Sequence, residues 1–562
     1  MKTSLSIFII FLFTSCQIGA QSWINSNKVS SSESFIQLSS KITGNGEIFS
    51  YGYFEGILSS AAGDSISSFG NRDYYLIKFL EDGEVDWMHS FGSSLREFNS
   101  GGLAIDSDRN IYISGGFQGN LKYSLTDSIQ STGSYDLFII KLDEFGNSIW
   151  ARNAGKGDRL QAATALDLNS TGDLILAGIF LDSINFYGET TLYSENPSLD
   201  YFYGKFDSSN GDLQIVKHAR SLNILGGRIN DVYSDSESYL FAGMFSDSIG
   251  FENDTIVPYN DNFDVHLIHT NAEGDISWIR NIKGNKDEFS LAVLRDNEEN
   301  IYISGYFDSD TLFVESTDSE FLSITGNNGN FDIFLAKYLP SGDLDWVRAA
   351  GGNSDEKIFF MEFIDNKINV TGYFSDTLNW GGIQLTTNGP GDVDMFTGAF
   401  DKDGNFREAS KYAGRNNSDD QGRGLFKSGD NLYTIMRSNT DLLVLGDSIY
   451  TSDGVSYNMY IGVIGCLPIS IDNVIVNDVS TCYGDSTGGL QIQATGGFGS
   501  PYQYSIDNGL SYQSNAFFQD LPAGDYPVVV IDQENCAQEG PVASVGQPDS
   551  LEIELISSAD IT

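Results

Sequence analysis

Two short runs of carboxylates have the residue types and spacing to hold an ion. "DSDRN" (106–110) sets Asp106 two residues from Asp108, and "DKDGN" (401–405) sets Asp401 two residues from Asp403. Oxygen donors at alternate positions of a tight loop are how proteins collect Ca²⁺. Neither run has the downstream Glu or the Gly spacing of an EF-hand, so a solvated turn is the competing account. Structural calcium is the one cofactor for which the chain offers candidates. Further acids, Asp158, Asp287, Asp355 and Asp419, fall at a recurring place in the chain. There are four histidines: His89, His218, His266 and His269. "HLIH" (266–269) looks like a metal motif, but on a strand positions three apart point to opposite faces and cannot share one ion.

Catalytic motifs are absent. There is no G-x-S-x-G on a strand–turn–helix unit and no phosphate-cradling glycine loop. The recurring "DG-x-x-D-W" turns lack the flanking hydroxyl residues of sialidase Asp-boxes, and nothing supplies the Cys pair or the cation cluster of a quinoprotein site. The acids are plentiful, yet no pair stands out from their repeated background.

That background is a repeat, the first thing to seek in a long chain. "NIYISGYF" (300–307) echoes "NIYISGGF" (110–117). The glycine recurs as Gly52, Gly115, Gly178, Gly243, Gly305 and Gly372, with Ile435 in a degenerate seventh copy, at steps of 63, 63, 65, 62, 67 and 63 residues. A tryptophan follows a G-x-x-x-W turn at Trp87, Trp150, Trp278 and Trp346, and Trp23 begins that series. An apolar strand headed by Asp recurs from Asp73, Asp136, Asp200, Asp264, Asp332 and Asp394, with Asn458 last. A fourth strand precedes each glycine strand.

Four short strands per unit, seven times over, predict an all-β, seven-bladed β-propeller. The last copy stops after three strands while the N-terminus opens with a lone Trp strand, so Trp23's strand is expected to complete the last blade and close the ring. Closure removes exposed sheet edges. The repeated glycine is expected to leave room for an aromatic ring of the next blade, making Gly and Trp packing positions. The loops before each Asp-headed strand vary most in length and are polar, which suits a binding face. "DSI" or "DTL" recurs in them, 12 residues past the glycine in three copies and 4–5 past it in four.

Composition agrees. The 562 residues hold 60 Gly but 10 Pro, and 13% are aromatic. The 77 acids against 31 bases give a charge of −46, which repels nucleic acid and anionic membrane. "MKTSLSIFIIFLFTSCQIGAQ" has a basic start and an apolar run too short to span a bilayer, so residues 1–20 read as a secretory signal peptide. Cleavage after Ala20 fits better than a lipobox ending at Cys16. No later segment is long and apolar enough to be transmembrane.

The propeller is expected over 21–467. Residues 468–555 then alternate strand runs and turns, as in "GGLQIQATGGFGSPYQYSIDNG", and read as a small immunoglobulin-like β-sandwich. Cys482 and Cys536 bracket it and are expected to form a disulfide, leaving Cys466 odd.

"TCYGDSTGGLQIQATGGFGSPYQYSIDNG…LPAGDYPVVVIDQENC" resembles a SprB-type repeat, and the upstream copies resemble propeller repeats of secreted Bacteroidota proteins. The resemblance implies a cell-surface or extracellular protein of the kind associated with gliding motility and type IX secretion. It also implies that "IELISSADIT" opens a further, truncated repeat from residue 556. The expected function is non-enzymatic adhesion: the propeller as head, the repeat as spacer, a glycan or surface protein as partner. The rival is an extracellular carbohydrate-active enzyme with its carboxylates on the propeller face.

Overall fold

A computed structural model describes residues 22–155, 159–188, 190–194, 198–222, 226–251, 255–260, 262–317, 320–326, 330–389, 391–412, 418–429, 431–445, 448–452, 456–465, 469–497, 500–532 and 536–551. Every regular element among them is a β-strand. None is a helix long and apolar enough to cross a membrane. The chain divides into two compact units, the larger spanning Asn25–Ile464 and the smaller including the residues from Gly465 onward.

The larger unit is built from four-stranded antiparallel sets. In the first, Phe35–Ile42, Ile48–Phe54, Asp73–Phe79 and Val85–Phe91 pair in chain order. The order recurs with first strands Gly101–Ile105, Gln161–Leu168, Gly227–Ser234, Glu288–Arg295, Glu356–Ile364 and Asp420–Ser428. The last set has only three strands of its own, Asp420–Ser428, Asn431–Ser438 and Asn458–Gly465. Ser22–Ser31, the strand of Trp23, lies beside Asn458–Gly465 as its fourth. First strands touch from each set to the next, and Asp420–Ser428 touches Phe35–Ile42. These repeated small sheets fit a β-propeller.

The polar loops of variable length each contain a β-hairpin, such as Ile57–Ser60 with Ser65–Ser67 and Thr311–Thr317 with Glu320–Thr325. Several lap back onto the outer strand of the preceding set, pairing Val29 with Ser60, Arg220 with Gly250 and Ile282 with Val314. They cover edges that would otherwise be open to other chains. The hairpins also explain the split spacing of "DSI/DTL". The motif leads into the first hairpin strand at Asp182, Asp310 and Asp376, and into the second at Asp64 and Asp127. Asp182 and Asp376 adopt φ of 71° and 57°, a turn that Asp tolerates.

The glycine column has a different cause from the one expected. Six of the first strands carry a bulge, at Leu38, Thr164, Asn230, Leu291, Phe359 and Arg423. Gly305 faces this bulge. A Cβ there would collide with the Phe289 carbonyl and lie 2.7 Å from the Phe334 ring, which belongs to the same set. Gly178 likewise meets Ala162 and Phe202 of its own set, and only Gly115 meets a ring of a neighbouring one, Tyr74. Register also shows that Met436, not Ile435, is the seventh copy's equivalent: Ser438 pairs with Asn458 as Phe374 pairs with Asp394.

The tryptophans join neighbouring sets. Trp150, Trp278 and Trp346 pack on the turn glycines Gly211, Gly342 and Gly404 of the set that follows, where a Cβ would sit 2.8 Å from the indole. Their Nε1–H groups donate to the carbonyls of Ser208, Pro340 and Lys402 in those turns, at 3.3, 3.4 and 2.9 Å. In the first set the next turn's glycine, Gly146, meets His89 instead, which packs edge-on against Trp87.

The smaller unit is two three-stranded antiparallel sheets. Ile469–Asn477, Gly488–Gly496 and Phe517–Leu521 form one; Gln503–Ser505, Gly524–Ile531 and Ala537–Val545 form the other. Leu490 and Ile492 from the first and Val528 and Val530 from the second share one buried core. The expected pairing of Cys482 with Cys536 is corrected: Cys482 is free and exposed, while Cys536 is buried and disulfide-bonded. Cys16 and Cys466 lie outside the described residues, as do the signal peptide and residues 552–562.

Candidate functional site

The first strands line a cavity of about 620 Å³ in the larger unit. All six bulged residues (Leu38, Thr164, Asn230, Leu291, Phe359 and Arg423) belong to its wall. A bulge re-aims a side chain out of the ladder, which is how strands whose other faces are packed still present groups to a cavity.

Toward the ends of these strands the wall is ionic. Lys41 lies 3.8 Å from Asp167 and near Asp231 and Glu362, each from a different set. Burial alone would lower the Lys41 pKa, but the three carboxylates outweigh it and raise the value. Burial pushes Asp231 up to about 7, against the hydrogen bond its carboxylate accepts from the Val293 N–H at 2.9 Å. Desolvation by the surrounding wall raises Glu362 as well, although its side chain is exposed to the cavity. Asp167 accepts at Oδ2 from the Ser234 N–H and Oγ at 2.8 and 2.9 Å.

Toward the starts of the strands the character reverses. The Arg423 guanidinium lies 3.8 Å over the Phe359 ring, and its Nε is buried without a hydrogen-bond partner. Lys357 stands 4.3 Å from the Tyr306 ring and 4.5 Å from Phe331. Arg437, in the column that holds Tyr306 and Tyr373 in other sets, lies 3.3 Å over Tyr457. Arg228 donates from Nε to Asn230 at 2.7 Å. Among the described residues none of these four cations forms an ion pair. Burial lowers all four pKa values, Arg423 to about 10. The acids at this end sit further off. Asp355 influences Lys357, and Asp419, which influences Arg423 and Arg437, already accepts from Tyr457 Oη and Gln421 Nε2.

A third group of titratable residues was legible only in part. The Asp heading each third strand is buried, and a Glu opening the next set stands beside it: Asp73 with Glu97, Asp264 with Glu288, Asp332 with Glu356. Burial pushes Glu97, Glu288 and Glu356 up to about 9, and the adjacent Asp carboxylates push the same way. In the first two pairs the facing Glu holds the Asp below the value that burial alone would give it. Glycine beside them is obligatory, since a Cβ at Gly92 or Gly351 would strike the carboxyl of Asp73 or Asp332. Sequence reading singled out Asp287 and Asp355. The buried partners are the next residues, Glu288 and Glu356, and their recurrence at the head of first strands was the available signal.

The calcium candidates are turns. Asp106 accepts from the Asn110 N–H and Nδ2 and from Tyr112 Oη at 2.8, 2.8 and 2.9 Å. Asp401 accepts from the N–H of Asp403 and Asn405 and from the Asn405 and Arg407 side chains. Asp108 and Asp403 point outward. No cluster of three or more metal-ligating side chains occurs among the described residues. His266 and His269 do face opposite ways. The first stacks on Tyr201 with Nε2 3.2 Å from its hydroxyl, the second stacks on Trp278, and burial lowers them to about 3 and about 4. Asp287 accepts from the Phe263 N–H, and Asp158 lies outside the described residues.

No family model matches the chain. An uncharacterized WD repeat-containing protein of Acanthamoeba polyphaga mimivirus is 28% identical over 211 residues, 32% of this chain. The chain spans about 15% of that relative's length. Two solved structures align along most of the chain. A fungal alcohol oxidase of the AA5 family in complex with copper has 10% identity and a TM-score of 0.34, covering 94% of this chain and all of its own. The plexin A4 extracellular region has 9% identity and a TM-score of 0.29, covering 93% of this chain and 67% of its own. Neither structural likeness is strong enough to argue from. The WD-repeat likeness and the repeated four-stranded sheets fit a repeat β-propeller.

Proposed function

We propose that this chain is a non-enzymatic adhesion protein of the cell surface or extracellular space. A closed seven-bladed propeller is its binding head and a SprB-type, immunoglobulin-like repeat its spacer. What supports closure is the contact of Asp420–Ser428 with Phe35–Ile42 and the place of Ser22–Ser31 in the last sheet. One observation carries the binding role. Arg423 at the cavity wall and Lys357 beside it present cations on aromatic rings without ion pairs among the described residues, while the Asp–Glu pairs that could shuttle protons are sealed between neighbouring sheets. The partner is a glycan or a protein on another surface. The test is a glycan array and cell-binding assay on the full chain, with free reducing ends measured in parallel. Retention without new reducing ends is expected; no retention on any glycan or cell overturns the proposal.

A second reading is favoured by Asp231 and Glu362. Both line the cavity, and burial raises both toward values suited to a general acid. On that reading the chain is a carbohydrate-active enzyme. It requires reducing ends to appear with the wild-type chain and to be lost in Asp231→Asn.

A further inference from the structure

The cations without ion pairs, two at one end of the cavity and two beside it, define a ligand class. We infer that this end binds an anionic saccharide, with the oxyanion of a uronate or sulfated sugar seated on Arg423 and Lys357 and its ring on the adjoining tyrosines. The inference rests on the binding reading above and deepens it.

Three observations on the larger unit converge. In a chain of charge −46, Arg228, Lys357, Arg423 and Arg437 gather at one place without an ion pair among the described residues. Unpaired buried cations are costly, and an incoming anion would offset that cost. Arg423 already donates from Nη2 to Gln421 Oε1, but its buried Nε has no partner among the described residues, so part of its donor fork is unused. A guanidinium fork matches the two oxygens of a carboxylate or sulfate. The rings supply the rest. Tyr306 lies under Lys357, Phe359 lies under Arg423, and Tyr373 packs 5.6 Å from Phe359. Apolar sugar faces dock on such rings while polar groups fix their orientation. The adjoining cavity of about 620 Å³ has room for a few sugar units. The nearby Asp355 and Asp419 select against a bare, highly charged anion and suit one whose charge is spread along a chain.

Titration calorimetry on the full chain tests this with four probes: a galacturonate hexamer, a chondroitin sulfate hexamer, a galactose hexamer and inorganic phosphate. At least one acidic hexamer should bind about tenfold or more tighter than the galactose hexamer, and weaken as salt rises from about 0.05 to 0.5 M. Carboxylate and sulfate sources are told apart by which hexamer wins. Lys357→Gln and Arg423→Gln should each weaken that hexamer about tenfold, and Lys357→Arg should restore most of the loss. Arg423 is half-buried and packed on Phe359, so each variant's thermal transition is measured first. Lys357, held only by rings, keeps the test decisive if Arg423→Gln fails to fold. Equal binding of acidic and neutral hexamers, or phosphate competing as well as a hexamer, overturns the inference. If glycans or cells are retained but Lys357→Gln changes nothing, the inference falls and the adhesive reading stands. If nothing is retained at all, both fall.

Discussion

The indole of Trp346 donates its N–H to the carbonyl of Lys402 at 2.9 Å and lies flat against Gly404, in the turn of the next repeat. The tryptophan and the turn glycine, which look like two features of one hairpin, are two halves of a joint between neighbours. Gly404 holds φ of 74°, which a β-branched residue resists.

Trp346→Ala should therefore cost about 3–5 kcal/mol and lower the denaturation midpoint of the larger unit. Gly404→Val should cost a comparable amount, and the double variant less than the sum, because both remove the same contact. Additive losses measured by urea titration would show that the two positions do not form one joint.

The N-terminal strand should behave as part of the last sheet. Val29 is buried, and Ser26 Oγ meets Tyr450 Oη at 3.0 Å across more than four hundred residues of chain. Deleting residues 22–31 should open an edge on Asn458–Gly465 and cause a loss of melting temperature larger than deleting ten exposed residues elsewhere. A synthetic peptide of those residues, added in excess, should restore part of it by strand addition. An unchanged melting temperature on deletion would refute the assignment.

Only Cys482 among the described cysteines should react with a thiol reagent in folded, unreduced protein. Cys482→Ser should leave stability unchanged, whereas Cys536→Ser should cost about 2–5 kcal/mol. Mass spectrometry after alkylation checks both. A modified Cys536 would contradict the structure.

The repeat, its strands and the shared last sheet were legible because period-2 patterning and a recurring Gly are local signals. What escaped were relations between copies. Gly305 was assigned a ring from the next blade, but the bulge carbonyl of Phe289 and its own set's Phe334 fill that space. A bulge leaves no mark in one copy, since Leu38, Asn230 and Arg423 have nothing in common as residue types. The disulfide failed for a similar reason: bracketing positions in a sequence say nothing about which sulfurs meet. The cation cluster draws Arg228, Lys357, Arg423 and Arg437 from three sets, and only the fold brings them together.

The sealed Asp–Glu pairs should make the larger unit lose stability as pH rises. Glu97, Glu288 and Glu356 titrate near 9 when folded and near 4.5 when unfolded, so between those limits the folded chain holds protons that the unfolded chain has lost. Stability is greatest below the unfolded value and falls as pH approaches the folded one. Each retained proton contributes a slope of about 1.4 kcal/mol per pH unit. Melting temperature should fall from pH 5 to pH 9, and Glu97→Gln, which cannot ionise, should flatten the fall. A melting temperature that rises across this range would exclude glutamates that stay protonated in the fold.

Asp231 offers a sharper test, because it separates a structural acid from a catalytic one. Its carboxyl lines the cavity near Lys41, and burial raises it to about 7. Its folded pKa lies above the unfolded one, so ionisation weakens the fold between about pH 4 and 7, and above that the cost is constant. Asparagine keeps an oxygen to accept the Val293 N–H and has no proton to lose. Lys41 would retain Asp167 at 3.8 Å and Glu362 as counter-charges. Asp231→Asn should thus leave the melting temperature nearly unchanged at pH 4 and raise it at pH 8. Glycan retention on an array should stay as in wild type, since the anion-binding groups lie at the other end of the strands. A variant less stable at pH 8 would mean that the Lys41 attraction outweighs desolvation. A variant equally stable but unable to release reducing ends that the wild type releases would assign Asp231 to catalysis and displace the adhesive reading.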